Sequence, residues 1–171
     1  MERKINEELK EYLEKYVFPR YTLNERGHGI EHILNVIDRE FELIEENNLD
    51  LNNNMVYTIG AYHDIGHHID AKNHEIVSAE LFTQDEKMKK FFDEKEIEII
   101  KEAIEDHRAS NSYEARSVYG KLISSADRNT DYISIFVRTY SYNIRHFPSS
   151  TNQQLIEEAY KHLKNKNKLK K

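Results

Sequence analysis

Only five glycines and two prolines interrupt 171 residues, and between these breaks the apolar side chains recur at intervals of three and four. That spacing stacks them on one side of an α-helix and does not fit the two-residue alternation of a strand. Ile30, Ile33, Leu34, Ile37, Phe41 and Ile44 are the clearest case, and they predict a helix that opens after Gly27 to Gly29 and ends in the loop Asn47 to Asn54. Before it, Ile5, Leu9, Tyr12, Leu13 and Tyr16 predict a first helix that stops near Pro19. A short buried helix follows from about Met55 to Gly66, then an alanine-centred one around His74 to Phe82. Asp93 and Glu96 read as the capping pair of a helix that runs through Ile97, Ile100 and Ile104 to His107. Ser117 to Asp127, Tyr132 to Arg145 and the stretch from Asn152 predict three more, the last capped by Ser150 and Gln153. No stretch reads as a strand, and no repeat or linker divides the chain. The expectation is one all-α domain over residues 1–171, a bundle of about six to eight helices.

Composition narrows the class further. Hydrophobic residues make up 38% and charged residues 33%, too apolar a mixture for a disordered chain. No uninterrupted apolar run exceeds three residues, which excludes a transmembrane helix, and Met1 to Glu8 has no apolar stretch for a secretory signal. A cytoplasmic location is expected, with no membrane partner. With no cysteine there is no disulfide, thiolate zinc site, iron–sulfur cluster or cysteine nucleophile, so any metal must sit on nitrogen and oxygen. The formal charge of −6 is uneven: residues 161–171 hold six lysines and no acid, leaving −12 on residues 1–160. Such a body repels long nucleic acids, although a local cation can still hold a small phosphorylated ligand. The lysine-rich end reads as a solvated helix end or tail, and nothing in the sequence fixes the oligomeric state.

The chemistry lies in the histidines. Six of the nine fall between His28 and His74, and His107 stands on the apolar side of its helix, three residues after Ile104. His63-Asp64 adjoins the end of an apolar helix, where a buried charge needs a partner. About 0.5 such pairs arise by chance in a chain with these His and Asp counts, so the pair alone is weak and spacing must carry the case. Adding His32 and Asp127 gives two nitrogens and two oxygens, a set that a divalent ion accepts with positions left for water. Metal binding brings the pKa of that water toward neutrality and polarises a phosphoryl oxygen.

These residues resemble the HD-domain metal-dependent phosphohydrolases, all-helical proteins named for their His-Asp pair. The resemblance covers about residues 27–128. It is carried by His28-Gly29-Ile30-Glu31-His32, His63-Asp64-Ile65-Gly66-His67, Asn73 to Glu80, Glu105-Asp106-His107-Arg108 and Ser125-Ala126-Asp127-Arg128. It implies that His32, His63, Asp64 and Asp127 ligate one divalent metal. It also implies that His74 and His107 hold a second ion or contact phosphate, with Asp64 as the bridge. The implied activity is hydrolysis of a small phosphate ester, a nucleotide or related phosphorylated metabolite, by attack of metal-bound hydroxide on phosphorus. Manganese, iron, cobalt, nickel, magnesium and zinc all suit the donor set. Relatives that cleave cyclic dinucleotides place a lysine where His67 stands and add a glycine-tyrosine-proline motif. Its absence points away from those substrates and leaves nucleotides, dinucleoside polyphosphates, guanosine alarmones and other phosphate esters.

Asp64 and His67 are the catalytic candidates: Asp64 to orient the attacking oxygen, His67 to donate to a phosphate or protonate the leaving group. His28, one turn before His32, is a candidate to orient that ligand. Arg108 and Arg128 flank ligand elements and could hold phosphate, as could Lys72 and Lys121, while His68, His146 and His162 read as structural or exposed. Three other readings stand beside the hydrolase. His63 and His67, at i and i+4, could form a degenerate zinc-peptidase helix. The site could be a non-catalytic metal-binding helical module, or a di-iron centre that oxidises its substrate.

Overall fold

Helix α1, Glu7–Tyr12, starts where the Asn6 side chain accepts the Leu9 N–H at 3.1 Å. It runs on into a π turn over Leu13–Val17 and a 3-10 turn over Phe18–Leu23. The computed structural model describes residues 4–25, 27–128 and 132–168 of the chain. The predicted stop near Pro19 is therefore overrun. Pro19 sits in the first turn of the 3-10 segment, where its missing N–H leaves no bond unmade. The π turn inserts an extra residue, so Tyr16 is rotated out to 55% exposure and Val17 takes its place in the core at 1%.

Helix α2, Ile30–Glu46, buries His32, Ile33, Val36, Ile37, Glu40, Phe41 and Ile44. At 3.6 residues per turn these centre on Ile33, Ile37 and Ile44, and Leu34 falls about a quarter turn to the side. It is 43% exposed instead of facing the core. Helix α3, Asn53–Tyr62, is buried from Met55 onward and ends four residues before the predicted Gly66, giving way to tight turns that reach Ile69. Helix α4, His74–Thr83, a 3-10 turn over Glu86–Lys90, and α5, Glu94–Asp106, follow. The expected Asp93 and Glu96 capping box is present, each side chain accepting the other's N–H. Helix α6, Val118–Arg128, completes the set that packs through Ile33, Ile59, Ile65, Phe82, Ile100, Ile104 and Ile123.

The chain divides into two compact units, Met1–Asn129 and Thr130–Lys171. The second holds α7, Tyr132–His146, packed on α8, Asn152–Lys168. The α8 cap is shifted one residue from the predicted Ser150 and Gln153: Thr151 N–H donates to Gln154 Oε1 at 2.9 Å, and Thr151 Oγ1 accepts the Gln154 N–H at 3.3 Å. A Thr-x-x-Gln box replaces the Ser-x-x-Gln reading because Ser150 N–H is taken by Phe147 O in the preceding turn. The lysine-rich end is helical as far as Lys168. Residues 169–171 and the side chains of 162–168, His162 among them, lie outside the described residues. Among the described residues there are eight α-helices and no strand, as the periodicity requires, and no helix is long and apolar enough to cross a membrane.

Gly66 marks the closest approach of the turn after α3 to α4. A Cβ there would stand 2.8 Å from the Ser78 nitrogen and 2.8 Å from Val77 Cγ1. Because one of those atoms is main chain, Gly66→Ala is expected to cost about 1 to 3 kcal/mol of stability. A urea midpoint equal to wild type would show that the turn and α4 can separate freely.

Candidate metal centre

The turn after α3 is held from two sides. Tyr21, buried beneath it, donates its hydroxyl to Ala61 O at 2.8 Å and accepts the Asp64 N–H at 3.3 Å. Asn24 donates from Nδ2 to the carbonyls of Asp64 and His28, both at 2.9 Å, and accepts the His68 N–H at 3.0 Å. On the far side the Gly66 N–H donates to Ser78 Oγ on α4 at 2.9 Å. These contacts fix the His63-Asp64 pair at the point where α2, α4, α5 and α6 converge.

Asp64 is the centre of that convergence. Its Oδ2 lies 3.4 Å from His32 Nε2, at the start of α2, and 3.6 Å from His63 Nε2. Its Oδ1 lies 3.3 Å from His74 Nε2, at the start of α4, and 3.4 Å from His107 Nε2, at the end of α5. Asp127, from the last turn of α6, places Oδ1 3.2 Å from His32 Nε2. Three groups have all their ligand atoms within 4.8 Å of one another: His32, His63 and Asp127; Asp64, His74 and His107; and His28, His32 and Asp64. The residues picked from sequence as ligands thus come together from five separate stretches of chain.

The donor set fits a cation. Each of three rings presents Nδ1 to a main-chain carbonyl three residues back: His63 to Gly60 O at 2.8 Å, His74 to Ala71 O at 3.1 Å and His107 to Ile104 O at 2.6 Å. A carbonyl accepts only, so Nδ1 carries the proton and Nε2 offers its lone pair inward, the tautomer of an imidazole ligand. His63 Nε2 is buried with no hydrogen-bond partner. The Nε2 atoms of His74 and His107 stand 3.1 Å apart. Two lone pairs at that distance repel unless a proton or a cation lies between them.

The electrostatics agree. Burial pulls the His32 imidazole down, but the carboxylates of Asp127 and Asp64 outweigh it and hold the ring up at about 9. Burial alone dominates at His63, pushed down to about 4, and lowers His74 as well. At His107 burial is overcome by Asp64, which raises the ring. Burial also works against ionisation of Asp64, yet His63, His107, His28 and His32 around it keep the carboxyl well below the usual carboxylate range. Asp127 is likewise lowered, its burial outweighed by His32.

His67, the other catalytic candidate, stacks on His28 with ring centroids 3.9 Å apart and lies 5.2 Å from the His74 ring. Burial and the neighbouring His28 push it down to about 4, so it is neutral near pH 7. The zinc-peptidase geometry is not formed: α3 ends at Tyr62, so His63 and His67 do not share a helix face. His28 touches Asp64, with Nδ1 2.8 Å from Oδ2, rather than serving His32. Arg108 donates to both oxygens of Glu75 at 3.1 Å and to Lys72 O, so it ties the start of α4 to the end of α5. Arg128 donates to Ser124 Oγ at 2.7 Å, one turn back on α6. Lys121 and His68 are exposed, and His146 packs on Tyr142 at 4.0 Å. Tyr21 and Asn24, which hold the turn, carry no motif and were invisible to sequence reading.

The family model described as HD domain matches residues 29–130. A crystal structure of a predicted HD superfamily hydrolase from an uncultured Thermotogales bacterium is similar in fold. Its TM-score is 0.52 at 21% identity, covering 92% of this chain and 83% of that one. None of the curated proteins matches the chain. The match to the family runs from the residue before α2 to just past α6, and so takes in His32, His63, Asp64, His74, His107 and Asp127. The chain belongs to the HD-domain family.

Proposed function

We propose that this HD-domain protein is a phosphohydrolase acting on a small phosphate ester, a nucleotide or related phosphorylated metabolite. One observation carries the reading: the two oxygens of Asp64 divide between two imidazole sets, Oδ2 toward His32 and His63 and Oδ1 toward His74 and His107. His32, His63, Asp64 and Asp127 would hold one divalent cation, and Asp64, His74 and His107 a second. A divalent cation bound there supplies a lowered water pKa and a polarised phosphoryl oxygen.

The rest of the work falls to the chain's own side chains. Asp64, acceptor only when ionised, fixes the direction of a water proton and thereby orients the attacking oxygen in line with phosphorus. His67 is neutral near pH 7. It serves as a hydrogen-bond donor to a phosphoryl or leaving oxygen rather than as an imidazolium acid. Arg108 and Arg128 stand beside the ligand elements, and either reaches a phosphate only by giving up Glu75 or Ser124.

The test is elemental analysis of the purified protein joined to a phosphate-release screen over nucleotides, dinucleoside polyphosphates and sugar phosphates. Release that is lost on chelation and restored by manganese, cobalt, nickel, iron, magnesium or zinc is the expected result. Full metal content with no phosphate released from the panel would overturn the hydrolase and leave a metal-binding helical module. Dioxygen consumption with ferrous iron would overturn it in favour of an oxidative centre.

A further inference from the structure

His28 stands outside the proposed ligand sets yet makes the shortest contact to their centre. Its Nδ1 lies 2.8 Å from Asp64 Oδ2, while the other four imidazoles stand 3.3 to 3.6 Å from that carboxylate. An ionised carboxylate only accepts, so His28 Nδ1 donates. Two further contacts deny the ring and its main chain freedom to move. The His67 ring lies against it, 3.9 Å between centroids and 16° from parallel. Asn24 Nδ2 donates at 2.9 Å to the carbonyls of both His28 and Asp64, so one amide group ties together the main chains of two residues whose side chains also meet. The segment before α2 is thereby fastened to the turn after α3 across about 40 residues of sequence.

We propose that His28 is a positioning residue that fixes the Asp64 carboxylate between the two proposed cation positions, and that Asn24 is the clamp that holds His28 in place. The inference rests on Asp64 being a metal ligand. The terminal torsion of an aspartate is soft, with broad rather than discrete minima. A carboxylate that must keep one oxygen on each imidazole set needs an external donor to define that torsion, and His28 Nδ1 is the imidazole nitrogen nearest to it. Outer hydrogen-bond partners of ligating groups typically govern metal affinity by 10–100-fold.

The side-chain chemistry supplies a discriminating series. Asparagine places its Nδ2 about where a histidine carries Nδ1, so His28→Asn keeps the donor and discards the ring. His28→Ala removes both. Mn2+ affinity of the metal-stripped protein is measured by calorimetry, with paramagnetic resonance to follow the ion's coordination. His28→Ala is expected to weaken Mn2+ binding about 10–100-fold, and His28→Asn to remain within about threefold of wild type. Asn24→Ala is expected to weaken binding as well, and Asn24→Ala/His28→Ala to bind no more weakly than His28→Ala alone, because the clamp acts through His28.

Wild-type affinity in His28→Ala overturns the proposal and leaves the hydrolase intact. Equal losses in His28→Asn and His28→Ala also overturn it, since the imidazole would then matter as a ligand or stacking surface. Losses that add in the double variant remove Asn24 from the device. The expected affinity series together with no phosphate release would sink the hydrolase and spare the positioning role.

Discussion

Asp64→Asn is expected to lower phosphate release at least about 10³-fold, roughly 4 kcal/mol of transition-state stabilisation, and to erase the stability that divalent cations confer. The substitution keeps the shape of the side chain but replaces one oxygen by a donor and removes the charge. One of the two imidazole sets then faces an N–H instead of a carboxylate oxygen. In the wild-type protein a cation at 1,000 times its dissociation constant adds about 4 kcal/mol of stability, worth roughly 8 to 16 °C in Tm for a chain of this size. The Mn2+-induced Tm shift should therefore collapse in the variant. pH adds a second readout. His32 is held up at about 9 in the metal-free protein, and a ligand imidazole must be neutral, so a proton leaves as the cation enters. The raised His32 contributes stability to the metal-free fold that is whole below about 6.5 and fades as pH rises to about 9. The Tm shift conferred by Mn2+ should accordingly grow over that same interval. An unchanged shift in Asp64→Asn, or one indifferent to pH between 6.5 and 9, would remove Asp64 and His32 from the ligand set.

The helices were legible where a single physical signal governs. The face of α2, the capping box of α5 and the apolar course of α3 follow from periodicity and from one local hydrogen-bond pattern. Tyr16 and Val17 exchanged places because a π turn adds a residue that no periodicity can announce, and Leu34 fell at the margin of an otherwise correct stripe. The helix predicted to reach Gly66 ends at Tyr62, and Gly66 does not belong to it. The work of Gly66 is instead to let the main chain of α4 approach. At the site, His32, His63, Asp64, His74, His107 and Asp127 were readable because each sits in a short, recognisable stretch, and the structure brings their ligand atoms together. Asn24 and Tyr21 were not. Each acts on main-chain groups about 40 residues away, through contacts that leave no periodic or local trace in the chain. The role of Arg108 was equally hidden, since a guanidinium beside a ligand element looks the same in sequence whether it awaits a phosphate or grips Glu75.

Glu40 carries no motif in the sequence, and it supplies the other large expected effect. It lies on the buried face of α2 with 0% exposure, and neither carboxyl oxygen has a hydrogen-bond partner. Gly60 on α3 makes the room: a Cβ there would meet Glu40 Oε2 at 2.5 Å. Burial alone pushes this carboxyl well above its ordinary value. The sign follows from proton counting. Between about 4.5 and the raised value the folded chain holds a proton that the unfolded chain has lost, so each pH unit of that interval subtracts up to about 1.4 kcal/mol from stability. Glu40→Gln keeps the shape and abolishes the titration. It is expected to match wild type closely near pH 4, to pull ahead as pH rises, and to be more stable by roughly 1 to 3 kcal/mol at pH 7. Glu40→Met removes the unpartnered polar atoms too, and should add a gain that persists at pH 4. Urea midpoints at pH 4, 5.5 and 7 decide the matter, and a Gln variant whose advantage is flat across them would mean that Glu40 has a partner in solution. Because α2 delivers His32 and α3 leads into His63 and Asp64, Mn2+ affinity should be measured alongside. Glu40 is outside the three ligand groups, so the stability gain is expected to leave that affinity unchanged.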